Sequence, residues 1–182
     1  MTLPRLALTL LAGLCALLPG PVGAASREEL DARVHEAVET LYQTAPAARD
    51  LAARADGMLV FPAVYKGGMF VGAEYGEGAL LQGGRTSAYY NVASASVGLQ
   101  LGVQRKSVVI LFMTAEALAR FEKLRGFRVG VDGSVAIATL GAGGSVDSEN
   151  VQDPVIGFIY SNQGLMYNLT LEGSKISRIR KE

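Results

Sequence analysis

Asp31, His35 and Glu39 stand four residues apart, a spacing that on a helix brings two carboxylates and an imidazole onto one face. Such a trio has the chemistry of a metal site with oxygen and nitrogen ligands. Solvated charges on a helix surface have the same spacing, and that plainer reading carries more weight here. His35 is the sole histidine, so a Ser-His-Asp hydrolase would have to use it, yet no Gly-x-Ser-x-Gly elbow supplies the serine. Carboxylate-pair hydrolysis has no fixed local signature and would need a cleft to reveal it. Asp147, Glu149 and Asp153 share one expected loop but lack the Asp-x-Asp-x-Asp-Gly rhythm of a calcium hand, and they read as acidic surface. The sequence assigns no catalytic residue, no metal ligand and no cofactor.

Glycine is the next candidate for chemistry. The run from Gly68 to Gly78 and the run Gly141-Ala142-Gly143-Gly144 resemble phosphate loops in composition. A phosphate loop needs a helix directly after it, because the amides at the helix start hold the anion. Neither run is followed by a helical pattern, and no Gly-Lys-Ser/Thr box is present. These glycines are therefore expected to bend a sheet. Asn168-Leu169-Thr170 matches a glycosylation acceptor but falls in an expected strand, and no role is assigned to it.

The elements that would position these residues begin after a leader. Residues 1–25 open with Met-Thr-Leu-Pro-Arg, run through an apolar stretch from Leu6 to Leu18 and end in small residues, the pattern of a secretory signal peptide. The stretch is shorter than the ~20 residues of a membrane span. The only cysteine, Cys15, lies inside the stretch behind a leucine, which reads against a lipoprotein anchor. Residues 26–182 then form one domain without cysteine, so its stability must come from packing. The chain has 17 Lys+Arg against 17 Asp+Glu; without Arg5 the balance is 16 against 17, a charge near −1. No global charge draws the protein to nucleic acid, and no ladder of basic and aromatic residues marks a single-strand reader.

Ser26 followed by Glu29 predicts a capped helix start, and Leu30, Val34, Val38, Leu41 and Tyr42 form its apolar stripe. An alanine-rich second helix after Pro46 is expected to run to about Ala55, with Asp56-Gly57 as its stop. From Met58 the period becomes two. Strands are expected at Met58–Phe61, Met69–Tyr75, Ala79–Gln82, Tyr89–Ala93, Ala95–Val103, Val108–Met113, Phe127–Leu140, Val155–Tyr160, Leu165–Leu171 and Ile176–Ile179. Turns are expected at Lys66-Gly67-Gly68, Gly83-Gly84, Arg105-Lys106 and Ser161–Gly164. Thr114 predicts the cap of one mid-chain helix, which runs to Leu124. The fold class is α+β: a strongly curved antiparallel sheet or partial barrel with N-terminal helices and one mid-chain helix.

Basic residues occur in short groups: the pair Arg105-Lys106, then Lys123, Arg125 and Arg128, and finally Lys175, Arg178, Arg180 and Lys181. Taken singly they read as solubilising turns, helix-dipole partners or a frayed terminus. Brought together on one face they would attract anionic lipid at ~1 kcal/mol per residue.

The segments VFPAVYKGGMFVGAEYGEGAL, SVGLQLGVQRKSVVILFMT, RVGVDGSVAIATLG and YSNQGLMYNLTLEGSKI, in this order, resemble the SYLF domain family over residues 26–182. The resemblance implies binding of membrane lipids, phosphoinositides in particular, with actin filaments as partners of some eukaryotic members and no catalytic residues. It matches Lys66 to the family's lysine before the first glycine pair, and the helix from Ser26 to its amphipathic N-terminal segment. Tyr89-Tyr90-Asn91 stands where relatives tend to carry a tryptophan and then a proline.

The expectation is thus a non-enzymatic, periplasmic or secreted domain, peripheral to the membrane. Headgroups would meet Lys66, Arg105, Lys106, Lys123, Arg125, Arg128, Lys175 and Arg178, and acyl carbon would meet an apolar helix face or sheet cavity. Actin does not suit a bacterial envelope. The competing expectation is a structural or protein-interaction domain whose helix stripe is wholly buried, with envelope proteins as partners.

Overall fold

The computed structural model describes residues 25–68, 70–97, 102–139, 153–164, 171 and 173–182. Residues 1–24 of the expected signal peptide, Asp147, Glu149, the Gly141–Gly144 run and the acceptor sequence at Asn168 lie outside them, as does the expected strand Leu165–Leu171 save its last residue. Described in chain order are α1 (Arg27–Thr44), α2 (Ala47–Arg54), β1 (Gly57–Gly68), β2 (Val71–Gln82), β3 (Arg85–Val97), β4 (Gly102–Phe112), α3 (Ala115–Lys123), β5 (Phe127–Arg128), β6 (Ala136–Thr139), β7 (Val155–Gly164) and β8 (Lys175–Ile179). The strands form one strongly curled half-barrel sheet in the order β5-β8-β3-β2-β1-β4-β7-β6. This is the expected α+β architecture, with one correction: β6 pairs parallel to β7, which makes the sheet mixed.

Local chemistry explains the helix ends. Ser26 accepts a hydrogen bond from the Glu29 amide, and Thr114 accepts from the Ala117 amide, each satisfying a donor at a helix start. Glu29 does not complete the capping box; its carboxylate pairs with Arg33 one turn on. Gly57 is no helix stop but the first residue of β1, where a Cβ would come within 2.9 Å of the Leu118 side chain. Gly83 and Gly84, with φ of 55° and 76°, make the two-residue turn between β2 and β3.

Three expected turns are strand instead. Lys66-Gly67-Gly68 ends β1, and Arg105-Lys106 lies inside β4. Ser161–Gly164 continues β7, with Ser161 at φ 53° where the register with β4 shifts. The expected run Ala95–Val103 is divided between β3 and β4, and Phe127–Leu140 between β5 and β6.

The sheet is covered by helices over one half of its length. On one face, Leu30, Val34 and Leu41 of α1 and Leu51 of α2 pack on Val60, Ala79, Val109, Leu111, Ile156 and Phe158. The Tyr160 hydroxyl donates to the Ala37 carbonyl at 2.7 Å, and burial pushes that phenol's pKa well above its ordinary value. On the other face α3 sets Leu118 and Phe121 over Leu59, Leu80, Ile110 and Phe112, with the Phe121 ring 4.8–5.5 Å from those of Phe112, Tyr90 and Phe127. β1 passes between these layers with a register shift at Phe61-Pro62, where the missing proline amide takes nothing from the ladder. The Ser107 hydroxyl donates to the Pro62 carbonyl at 3.0 Å and satisfies that oxygen. Gly76 and Gly78 lie opposite the shift, and a Cβ on Gly78 would stand 2.1 Å from the Val60 carbonyl oxygen. The glycines of the opening run therefore let β2 close on a kinked strand.

Candidate functional site

Beyond the helices the sheet continues, and its polarity is inverted. On the α3 face of this half, Lys66, Glu74, Gln104 and Lys106 are buried. On the α1 face, Tyr65, Val71, Tyr75, Val97 and Val103 are 48–88% exposed, and Phe70 in the β1–β2 hairpin is 64% exposed. An exposed apolar patch beside buried charge is the informative departure from ordinary folding.

The strand registers order this exposed surface. Directly paired residues share a face. Arg105 of β4 pairs with Tyr65 of β1, Tyr65 with Tyr75 of β2, Tyr75 with Ala93 of β3, Ala93 with Lys175 of β8, and Lys175 with Arg128 of β5. A single row thus crosses six strands, about 24 Å at ordinary strand spacing, with tyrosines in the middle and cations at both ends. The next row toward the open end is Val103, Gly67, Ala73 and Ala95, and beyond it Val71 faces Val97. The carboxylates that share β2 or the adjoining groove are each held by a cation: Glu29 by Arg33, Glu77 by Lys181 and Glu74 by Lys106. The groove, about 350 Å³, runs between the first turns of α1 and the two tyrosines.

Of the eight basic residues picked out by sequence, the structure brings three, Arg105, Lys175 and Arg128, into that row. Lys123 and Arg125 are exposed at the end of α3 and just after it. Arg178 is exposed but alternates with Lys175 along β8 and lies beside Tyr90 on the α3 face, where its charge lowers a phenol pKa that burial raises. Lys66 and Lys106 are not surface residues. They are 8% and 1% exposed, because both side chains point to the polar interior around Glu74. Lys106 Nζ lies 3.2 Å from Glu74 Oε2. Burial holds its ammonium pKa below the usual lysine value, Glu74 opposes that shift and Lys66 adds to it. Glu74 Oε1 and Gln104 Oε1 are buried without a hydrogen-bond partner. Lys181 is not frayed either: it is buried, donates to the Ala25 carbonyl at 2.7 Å and pairs with Glu77.

The Asp31, His35 and Glu39 face of α1 does other work. The Asp31 carboxylate accepts from Thr86 Oγ1 at 2.9 Å and Tyr89 Oη at 3.0 Å, tying α1 to β3, while His35 Nδ1 lies 2.7 Å from the Asp31 carbonyl. Glu39 pairs at 3.7 Å with Arg49, whose guanidinium sits over the Tyr42 ring. No group of three potential metal ligands occurs among the described residues. Among those residues, too, no helix is long and apolar enough to cross a membrane.

Sequence reasoning missed the exposed platform. Its signal was present in the alternation of Val97 and Val103 with polar and glycine positions, but alternation shows only that a strand has two faces. It does not show which face is covered.

Residues 93–182, from the end of β3 to the tail, match the family model Ysc84, described as Las17-binding protein actin regulator. No curated protein matches the chain. The matched family is known for lipid-binding or actin-regulating domains and is generally non-enzymatic. Through residues 93–182 the chain belongs to the SYLF family.

Proposed function

We propose that this protein is a non-enzymatic domain that binds anionic membrane lipid at the surface of a bacterial envelope membrane, to which the signal-like leader would deliver it. The observation that carries the reading is the gathering of six exposed large apolar side chains at the uncovered end of the sheet, bordered by cations. Apolar surface of this kind gains ~25 cal/mol per Å² on leaving water, while basic side chains near an anionic surface add ~1 kcal/mol each. The two terms together suit a reversible peripheral contact. Of the expected acyl contacts, the α1 stripe is already packed on the sheet, Leu30, Val34 and Leu41 buried and Val38 and Tyr42 half-buried. The apolar part of the contact therefore falls to the platform. Headgroup contact falls to the exposed cations, and Lys66 and Lys106 serve instead as buried structure.

The test is flotation of the purified domain with vesicles of phosphatidylethanolamine containing phosphatidylglycerol or cardiolipin, compared with neutral phosphatidylcholine vesicles. Binding that requires the anionic lipid is expected; equal recovery with and without vesicles would refute the reading. A second reading, a protein-interaction domain, is favoured by the description of the matched family model, a Las17-binding actin regulator. It predicts capture of a protein partner by a variant that no longer floats.

A further inference from the structure

Resting on the lipid reading, we infer that the domain docks end-on: the α1 face of the uncovered sheet half enters the bilayer, the Tyr65–Tyr75 row lies at the headgroup boundary, and α1 stays packed. The layering follows from the registers. Val97 lies four residues beyond Ala93, so about 13 Å separates the tyrosine row from the last apolar row. That depth slightly exceeds the about 5–10 Å that an interfacial helix buries. Between these rows every described residue is glycine, alanine or valine on this face. Tyrosine is the side chain suited to the boundary, since its ring is apolar and its hydroxyl is wet. The Tyr75 hydroxyl already donates to Glu77 on the side away from the tip.

Charge complementarity selects an anionic bilayer as the occupant. The row carries exposed Arg105, followed on β7 by Gln163, on one side and exposed Lys175 with Arg128 on the other. Of the carboxylates near it, Glu29, Glu74 and Glu77 are held by Arg33, Lys106 and Lys181, Asp132 accepts from the Arg128 amide at 2.7 Å, and Glu36 shares a groove with Arg105 and Tyr65. Only three of the six exposed basic residues foreseen in the sequence would therefore touch headgroups, while Lys123, Arg125 and Arg178 would not. α1 is held back by contacts that insertion would have to break: Asp31 to Thr86 and Tyr89, Tyr160 to Ala37, and Lys181 to Ala25.

The experiment uses the domain with vesicles of phosphatidylglycerol and phosphatidylethanolamine. The double variant Phe70→Ser/Val97→Ser removes exposed side chains and should melt as wild type, yet its partition coefficient should fall about tenfold or more. Neutralising Arg105, Arg128 and Lys175 to Gln should cost about a hundredfold. Neutralising Lys123, Arg125 and Arg178 should change binding less than about threefold. The chain contains no tryptophan, so Val97→Trp and Ala119→Trp are clean reporters: brominated lipid should quench the first and not the second. Wild-type failure to bind vesicles would sink the lipid reading and this inference with it. Wild-type binding with an unaffected Phe70→Ser/Val97→Ser variant, or with Ala119→Trp quenched, would overturn this orientation alone. Concentration-dependent self-association that the same double variant abolishes, without vesicle binding, would make the platform a contact between copies and overturn both.

Discussion

Substituting Gly78 by alanine tests whether the glycines of β2 exist to admit the kinked β1. A Cβ at this position would stand 2.1 Å from the Val60 carbonyl oxygen and 2.6 Å from Phe61 Cδ1, whereas relaxed non-bonded contact begins at about 3.5 Å. The obstacle is backbone, held between β2 and β4 by ladders on both sides, so it cannot rotate away as a side chain would. Relief requires the two central strands to part by about 1 Å, which combines an overpacking cost of about 1–3 kcal/mol with the loss of one or two ladder bonds at about 0.5–1.5 kcal/mol each. The expected loss is about 2–5 kcal/mol, or roughly 5–15 °C in Tm for a domain of this size. Gly67→Ala is the control on the neighbouring strand. Its nearest new contact, Val103 Cγ1, lies at an unstrained 3.8 Å, and alanine in a strand is favoured over glycine by about 0.5–1 kcal/mol. Urea melts at unchanged m-value compare the pair. Equal stabilities within about 0.5 kcal/mol would refute the close-approach argument.

Asp31→Ala removes the shared acceptor of Thr86 and Tyr89 and should cost about 1–3 kcal/mol, with hydrogen-exchange protection falling first in α1; Asp31→Asn, which keeps one acceptor oxygen, should lose less. Lys106→Met removes the 3.2 Å ion pair of buried Glu74, leaving Lys66 as the buried cation beside it, and should cost about 1–3 kcal/mol. The double variant Lys106→Met/Glu74→Leu should recover part of that loss, a coupling above about 1 kcal/mol in a double-mutant cycle. The folded phenols of Tyr160, Tyr90 and Tyr89 have pKa values raised chiefly by burial, so the folded state keeps protons that the unfolded chain gives up. Their contribution is whole below about pH 10 and lost as pH climbs past it. A tyrosinate step should coincide with the loss of circular dichroism and shrink in Tyr160→Phe; full ionisation of a still folded protein would contradict it.

Local signals were legible wherever a short stretch decides its own conformation. Ser26 and Thr114 cap as their side chains dictate, Gly83-Gly84 turns as its freedom at positive φ allows, and Leu30, Val34 and Leu41 of the α1 stripe are buried as their spacing requires. The misreadings share one cause. Arg105-Lys106 looks like a polar turn because the groups that make it a strand, Glu74 on β2 and Gln163 on β7, are remote in sequence. Ser161–Gly164 has turn residues yet continues a strand, because an irregular pairing with β4 takes up the positive φ at Ser161. The platform was invisible for the same reason: the face on which Val97 and Val103 project is fixed locally, but whether a helix reaches that far is not.

The contact of Lys181 with Ala25 and Glu77 brings the last residues of the chain against the start of the first helix, while Arg27 Nε bonds the Lys181 carbonyl at 2.6 Å. Residues 25–182 are thereby closed into a loop by non-covalent links. In a fragment cut to residues 25–182, a short peptide joining its two ends would make a ring, and new termini could be opened at the Gly83-Gly84 turn, where a Cβ would meet nothing within 4 Å. Conversely, a proteolytic cut just before Lys181 unfastens the tail and the entry to α1 together.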